Sequence, residues 1–128
     1  MTVVLDASAL LAYLQDEPGS DTVYDALDGA LISSVNFSEV ATRVAARGID
    51  PRPVLDDILA FALDVVDYTF TCSLRLMDLR EWEQRLGVTL SLGDRCCLAT
   101  AIDAGLPVLT ADREWRNFQD LVDVRLIR

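Results

Sequence analysis

The chain reads as a parallel, doubly wound α/β sheet with helices on both faces, and three observations predict it. Short apolar runs alternate with amphipathic helical stretches along the whole chain. Glycines stand where the helical stretches should stop, at Gly29, Gly48, Gly87 and Gly105. Acidic residues fall just beyond the apolar runs, where an open parallel sheet places the ends of its strands and the starts of its helices.

The elements follow in order. Residues 3–6 form a buried strand and 7–14 a helix that ends before Pro18-Gly19. A second helix covers about residues 20–27, and residues 30–32 make a second strand running into Ser33-Ser34. Residues 36–47 are helical, with Asn36 and Glu39 at capping-box spacing and Gly48 as the stop. Pro51 and Pro53 open a helix through about Ala62. Residues 65–69 resemble a third strand and 73–86 a long amphipathic helix. Ser91 to Asp94 begins a helix reaching Ala104, and residues 107–110 are a fourth strand. A short helix over 112–118 and a terminal strand over 124–127 complete the pattern.

The 128 residues and 52% apolar content suit one compact domain spanning residues 1–128. No uncharged run approaches the roughly 18 apolar residues of a membrane span, and Asp6 interrupts the only stretch placed like a signal sequence. A soluble, cytoplasmic protein is expected. Cys72, Cys96 and Cys97 have neither disulfide-framework nor zinc-site spacing, so they are expected to be small buried residues.

The chain has no histidine and no lysine. Their absence excludes a Ser-His-Asp triad, a His-ligated zinc, a P-loop and a Schiff base. Carboxylate chemistry remains, with 21 acidic residues against 11 basic ones, all Arg, and a net charge of -10. Such a charge argues against tight unaided binding of a long nucleic acid.

Asp6 ends the first strand, Glu39 lies in the first turn of the helix after the second, Asp94 opens a later helix and Asp112 follows the fourth strand. The topology brings all of them to one edge of the sheet. Each has an ordinary capping role open to it, since acids in first helical turns gain about 0.3–1 kcal/mol. Together they would repel: two carboxylates about 4 Å apart cost roughly 4 kcal/mol at an effective dielectric near 20. Such a cluster takes up protons or a cation, and an all-oxygen donor set favours Mg²⁺ or Mn²⁺.

The run Val3-Val4-Leu5-Asp6-Ala7-Ser8-Ala9-Leu10-Leu11 resembles the opening of VapC-type PIN domains, and Val35-Asn36-Phe37-Ser38-Glu39-Val40 their second motif. Residues 90–99, around Gly93-Asp94-Arg95, and residues 106–113, around Thr110-Ala111-Asp112, match the third and fourth. The resemblance implies a five-stranded sheet and a metal-dependent ribonuclease, the toxin of a toxin–antitoxin pair. Asp6, Glu39, Asp94 and Asp112 would then be both catalytic and metal-binding, with Ser8 and Thr110 as supporting hydroxyls on the substrate side. It further implies a homodimer, an antitoxin partner, and products with 5′-phosphate and 3′-hydroxyl ends. Glu114 or Asn117 is where some relatives place a further acid.

Metal-assisted phosphodiester hydrolysis is the expected chemistry, with Asp94 or Asp112 orienting the water. Arg43 and Arg47 on the face of Glu39, Arg95 beside Asp94, and Arg113 and Arg116 after Asp112 would meet RNA phosphates, most readily in structured RNA with an exposed loop. An i,i+4 ion pair of Glu39 with Arg43, and solvated arginines elsewhere, is the competing expectation. Three rivals stand beside this reading. A receiver domain would need a late lysine that is absent. A D-x-S-x-S adhesion module, a metal-dependent binding module, finds Leu10 at its third position. The last is a non-catalytic PIN scaffold, against which all four acids count.

Overall fold

The computed structural model describes residues 2–128. Its central sheet comprises β1 (Val4–Leu5), β2 (Leu31–Ser33), β3 (Asp64–Val66), β4 (Val108–Thr110) and β5 (Val124–Leu126). Their order is β3-β2-β1-β4-β5, and every pairing is parallel. The helices are α1 (Ala7–Leu14), α2 (Ser20–Leu27), α3 (Ser34–Ala46), α4 (Pro51–Leu59), α5 (Phe70–Leu86) and α6 (Leu92–Ala104), with a 3₁₀ segment at Arg113–Phe118.

Alternation along the strands separates two cores. Leu5, Ile32 and Leu109 pack with α1 to α4 on one face. Val4, Val108 and Val124 pack with Leu79, Leu98, Trp115 and Phe118 on the other. The period of two follows from strand geometry, since neighbouring residues point to opposite sides. Both faces are thus covered by helices, which is why β1 and β4 at the centre read as continuous apolar runs, while β3 at the edge is largely exposed. No helix among the described residues is long and apolar enough to cross a membrane, and Cys72, Cys96 and Cys97 are buried free thiols.

Several expected boundaries change: α4 ends at Leu59 rather than near Ala62, α5 starts at Phe70 behind a Thr69 cap rather than at residue 73, and two further shifts have a plain cause. The strands are only two or three residues long, because an apolar run does not reveal where its ladder partner ends. The helix expected from Asn36 starts at Ser34, with the Ser33 hydroxyl accepting from the Val35 amide as its cap. Strand passes straight into helix there, so Asn36 falls inside the first turn and its side chain is free for another partner.

The strand order decides where a ligand can bind. From β1 the chain winds outward to β2 and β3, then returns to add β4 and β5 on the other side of β1. The switch point lies between β1 and β4. Beyond the carboxyl ends of those strands the flanking connections part and leave a crevice.

Candidate functional site

Asp6 and Asp112 stand just past the ends of β1 and β4, Glu39 one turn into α3, and Asp94 in the first turn of α6. All four, with Ser8, Leu11 and Arg43, line one small cleft of about 120 Å³. Larger hollows exist elsewhere on the surface, but none gathers these groups.

Asp6 is the most buried of the four, at 5% exposure. Although it precedes α1, its side chain makes no capping bond to that helix. Instead Oδ2 accepts from the Ser8 hydroxyl at 2.6 Å and the Thr110 hydroxyl at 2.9 Å. Each hydroxyl is itself aimed by a backbone amide, Ala111 N–H onto Ser8 Oγ and Asp112 N–H onto Thr110 Oγ1, both at 3.0 Å. Burial raises the Asp6 carboxyl from 3.8 to about 6; the two hydroxyl bonds oppose the shift, and the charges of Asp94 and Glu39 add to it. Burial also raises Asp94, with Asp112 and Glu39 adding to the shift against bonds from Ser91.

The other three carboxylates are partly exposed. Glu39 Oε1 accepts from Asn36 Nδ2 at 2.7 Å. The Ser91 hydroxyl accepts from the Asp94 amide, closing the cap of α6. Asp112 Oδ1 accepts from the Glu114 amide and so caps the 3₁₀ segment. Capping and convergence therefore coexist at Asp112, whereas Asp6 caps nothing and instead gathers two hydroxyls, from the start of α1 and the end of β4.

The kind of donor matters. None of these four acids forms an ion pair among the described residues; their partners are hydroxyls, an amide and backbone N–H groups, which orient a carboxylate without cancelling its charge. Glu83 on α5 is the contrast. Its fully buried carboxylate is gripped by Arg95 at 2.8 and 3.0 Å and by Arg80 at 2.8 Å. The Arg95 bonds hold Glu83 below the usual carboxylate range. Two guanidiniums make Glu83 a brace between α5 and α6, while the cleft retains its negative charge.

The arginines divide accordingly. Arg95 follows Asp94 in sequence, but its guanidinium is committed to Glu83 and not to the cleft. Arg43 lines the cleft and makes no ion pair with Glu39 despite the i,i+4 spacing, because that carboxylate is turned toward Asn36. Arg47, Arg113 and Arg116 are exposed, as are Glu114 and Asn117, which do not line the cleft. Thr110 is fully buried, and its hydroxyl donates to Asp6.

Sequence reasoning missed the burial of Glu83 and of Asn36, though helical phase carried both. Asn36, Val40 and Val44 are spaced four apart on the buried face of α3, and Leu79 and Glu83 likewise on α5.

Among the described residues, no three acidic or thiol side chains stand close enough together to hold a metal ion as they are. The donor set is nonetheless of the type a hard cation takes: all oxygen and uncancelled in charge, with burial first and the neighbouring acids second raising two of its carboxyls.

A family model described as PIN domain matches residues 3–121. No curated protein matches the chain. Among solved structures, a chain of the VapBC2 complex from Rickettsia felis bound to a fragment of its promoter DNA is similar, with TM-score 0.77, 16% identity and 98% of each chain covered. A chain of a toxin–antitoxin complex from Klebsiella pneumoniae has TM-score 0.76 and 18% identity, again over 98% of each chain. A chain of DNA-bound VapBC from Salmonella typhimurium has TM-score 0.74 and 19% identity, over 100% of this chain and 99% of that one. At these identities the likeness is one of fold.

Proposed function

The chain belongs to the PIN domain family, and from that premise we propose that it is a divalent-metal-dependent endoribonuclease, the toxin of a toxin–antitoxin pair. The observation that carries the reading is the convergence of four carboxylates, Asp6, Glu39, Asp94 and Asp112, on one cleft at the switch point with no cation among their partners. A purely structural set of acids would be neutralised as Glu83 is.

Asp6 and Glu39 would hold Mg²⁺ or Mn²⁺ with Asp94 and Asp112. Glu39, Asp94 and Asp112 are partly exposed, which leaves their side chains room to turn toward an ion. The bound cation supplies Lewis-acid activation of water and neutralises charge on the phosphate. Asp94 or Asp112 would orient the attacking water and take its proton. The water oxygen would bond to phosphorus as the bond to the 3′-oxygen breaks; that oxygen would leave as a hydroxyl with a proton drawn from solvent, and the carboxylate would return the water's proton to solvent. Ser8 and Thr110 fix the Asp6 carboxylate, and Arg43 meets the neighbouring phosphate bidentately. Arg113 and Arg116 extend the basic path along single-stranded RNA.

The partners follow from the surface and the relatives. Similar folds occur in toxin–antitoxin complexes, and an antitoxin arginine entering the acidic cleft would substitute for cation charge and compete with Mg²⁺. Tyr13 stacks on Tyr24 at 6.2 Å and Tyr24 meets Phe61 edge-on at 6.1 Å. With Tyr24 54% exposed, this aromatic ladder, running from α1 and α2 to the turn after α4, suits a homodimer contact. The reading is tested by incubating end-labelled RNA with purified protein in Mg²⁺, Mn²⁺ or EDTA. Cleavage only with metal, lost in Asp6→Asn, is expected. Metal-independent cleavage, or none with any RNA, would refute it.

A further inference from the structure

Asn36 is fully buried in the first turn of α3, and it joins two of the elements that carry the acids. Its amide nitrogen donates to Glu39 Oε1 at 2.7 Å and to the Gly93 carbonyl of α6 at 2.9 Å. Its Oδ1 has no partner. The amide cannot be turned over to satisfy that oxygen, because both neighbours of the nitrogen are acceptors. An unpaired buried carbonyl is unfavourable, so folding alone does not explain an asparagine here.

Gly93 completes the contact. A Cβ at this position would lie 2.7 Å from both Cδ and Oε2 of Glu39, and closer still to Oε1. Only a residue without a side chain leaves the carboxylate room against the backbone of α6. An amide also differs from the guanidiniums at Glu83 in fixing its carboxylate with no loss of charge. No hydrogen bond reaches Glu39 Oε2 among the described residues.

We propose that Asn36 and Gly93 form a clamp that sets the Glu39 carboxylate for cation binding, as positioning residues and not as ligands. The clamp rests on the metal-nuclease reading above. Groups that orient a metal ligand change affinity on the order of tenfold or more when removed.

The test measures Mn²⁺ affinity by calorimetric titration for the wild type, Asn36→Leu, Gly93→Ala, Glu39→Gln and the Asn36→Leu, Glu39→Gln double variant. Thermal melts in EDTA are run on the same samples. Asn36→Leu removes both donors and the orphan oxygen at similar size. Expected are an approximately tenfold loss of affinity in Asn36→Leu and in Gly93→Ala, with metal-free melting no lower than wild type. In the Glu39→Gln background, Asn36→Leu should cause no further loss, since it acts through that carboxylate. An unchanged affinity, or an undiminished effect in that background, would overturn the clamp while leaving the metal reading intact. Should Asn36→Leu fold poorly, Gly93→Ala decides, because alanine is favoured over glycine inside a helix. A wild-type protein that binds no Mn²⁺ would overturn both.

Discussion

Asp6→Asn should stabilise the metal-free protein at neutral pH and abolish its activity. The magnitude comes from the raised carboxyl, which moves from 3.8 to about 6 on folding. Each pKa unit corresponds to about 1.4 kcal/mol, so holding Asp6 ionised in the folded state costs about 3 kcal/mol. At 5% exposure little solvent screening reduces that figure. The folded state binds more protons than the unfolded chain between the two pKa values, so wild-type stability falls as pH rises through about 4 to 6 and the full cost is present above that window. Asparagine carries no such cost and still offers an oxygen to Ser8 and Thr110. Urea unfolding in EDTA across that window should show equal stabilities at its acid end and a gap opening toward about 3 kcal/mol above it. The gain is an upper limit, since the new NH₂ needs acceptors of its own. Adding Mg²⁺ at about 100 times its Kd should stabilise the wild type by about 2.7 kcal/mol, the variant far less, and close the gap. A variant less stable than wild type above pH 6, or a difference that ignores pH, would refute the reasoning and make Asp6 a structural carboxylate.

Asp94→Asn and Asp112→Asn should each abolish metal-dependent RNA cleavage with no fall in melting temperature, because asparagine at 112 can still accept from the Glu114 amide; gel assays and melts on one sample check this. Arg95→Met should destabilise by about 2–3 kcal/mol in urea, below the value for a fully buried pair because Arg95 is partly exposed and Arg80 remains on Glu83. Glu83 has a lowered pKa, so the brace contributes at neutral pH and fades on acidification, and the variant should lose less stability than wild type as pH falls. Light scattering at tens of micromolar should report a dimer, and Tyr24→Asp should shift it to monomer with the fold retained.

How far each feature could be read depends on the range of the interaction behind it. The alternation of elements and most helix stops were legible because propensity, capping and periodicity act over a few residues, as at Ser91 and Gly105. The start of α3 was not, because Ser33 had to serve as strand end and helix cap at once. The i,i+3 spacing of Asn36 and Glu39 makes their pairing legible from the sequence, in the form of a capping box. The second bond of Asn36, to Gly93, lies 57 residues away, and no local rule reaches that far. Arg95 shows the reverse case. Adjacency to Asp94 suggested a shared site, yet helical geometry points neighbouring side chains in different directions, and Glu83 twelve residues earlier takes the guanidinium.

The sequence by itself determined the chemistry available to this protein: carboxylates without histidine or lysine, set just past apolar runs that must become buried strands. Hydrophobic pattern and residue type suffice for that, since they bias each segment independently of the others. Only the tertiary structure decided which acids keep their charge. The order β3-β2-β1-β4-β5 brings the ends of β1 and β4 side by side, so Asp6, Glu39, Asp94 and Asp112 share one cleft with neutral donors. The packing of α5 on α6 brings two guanidiniums onto Glu83. A carboxylate's charge and pKa follow from what lies within a few ångströms in space, and long-range packing sets those neighbours.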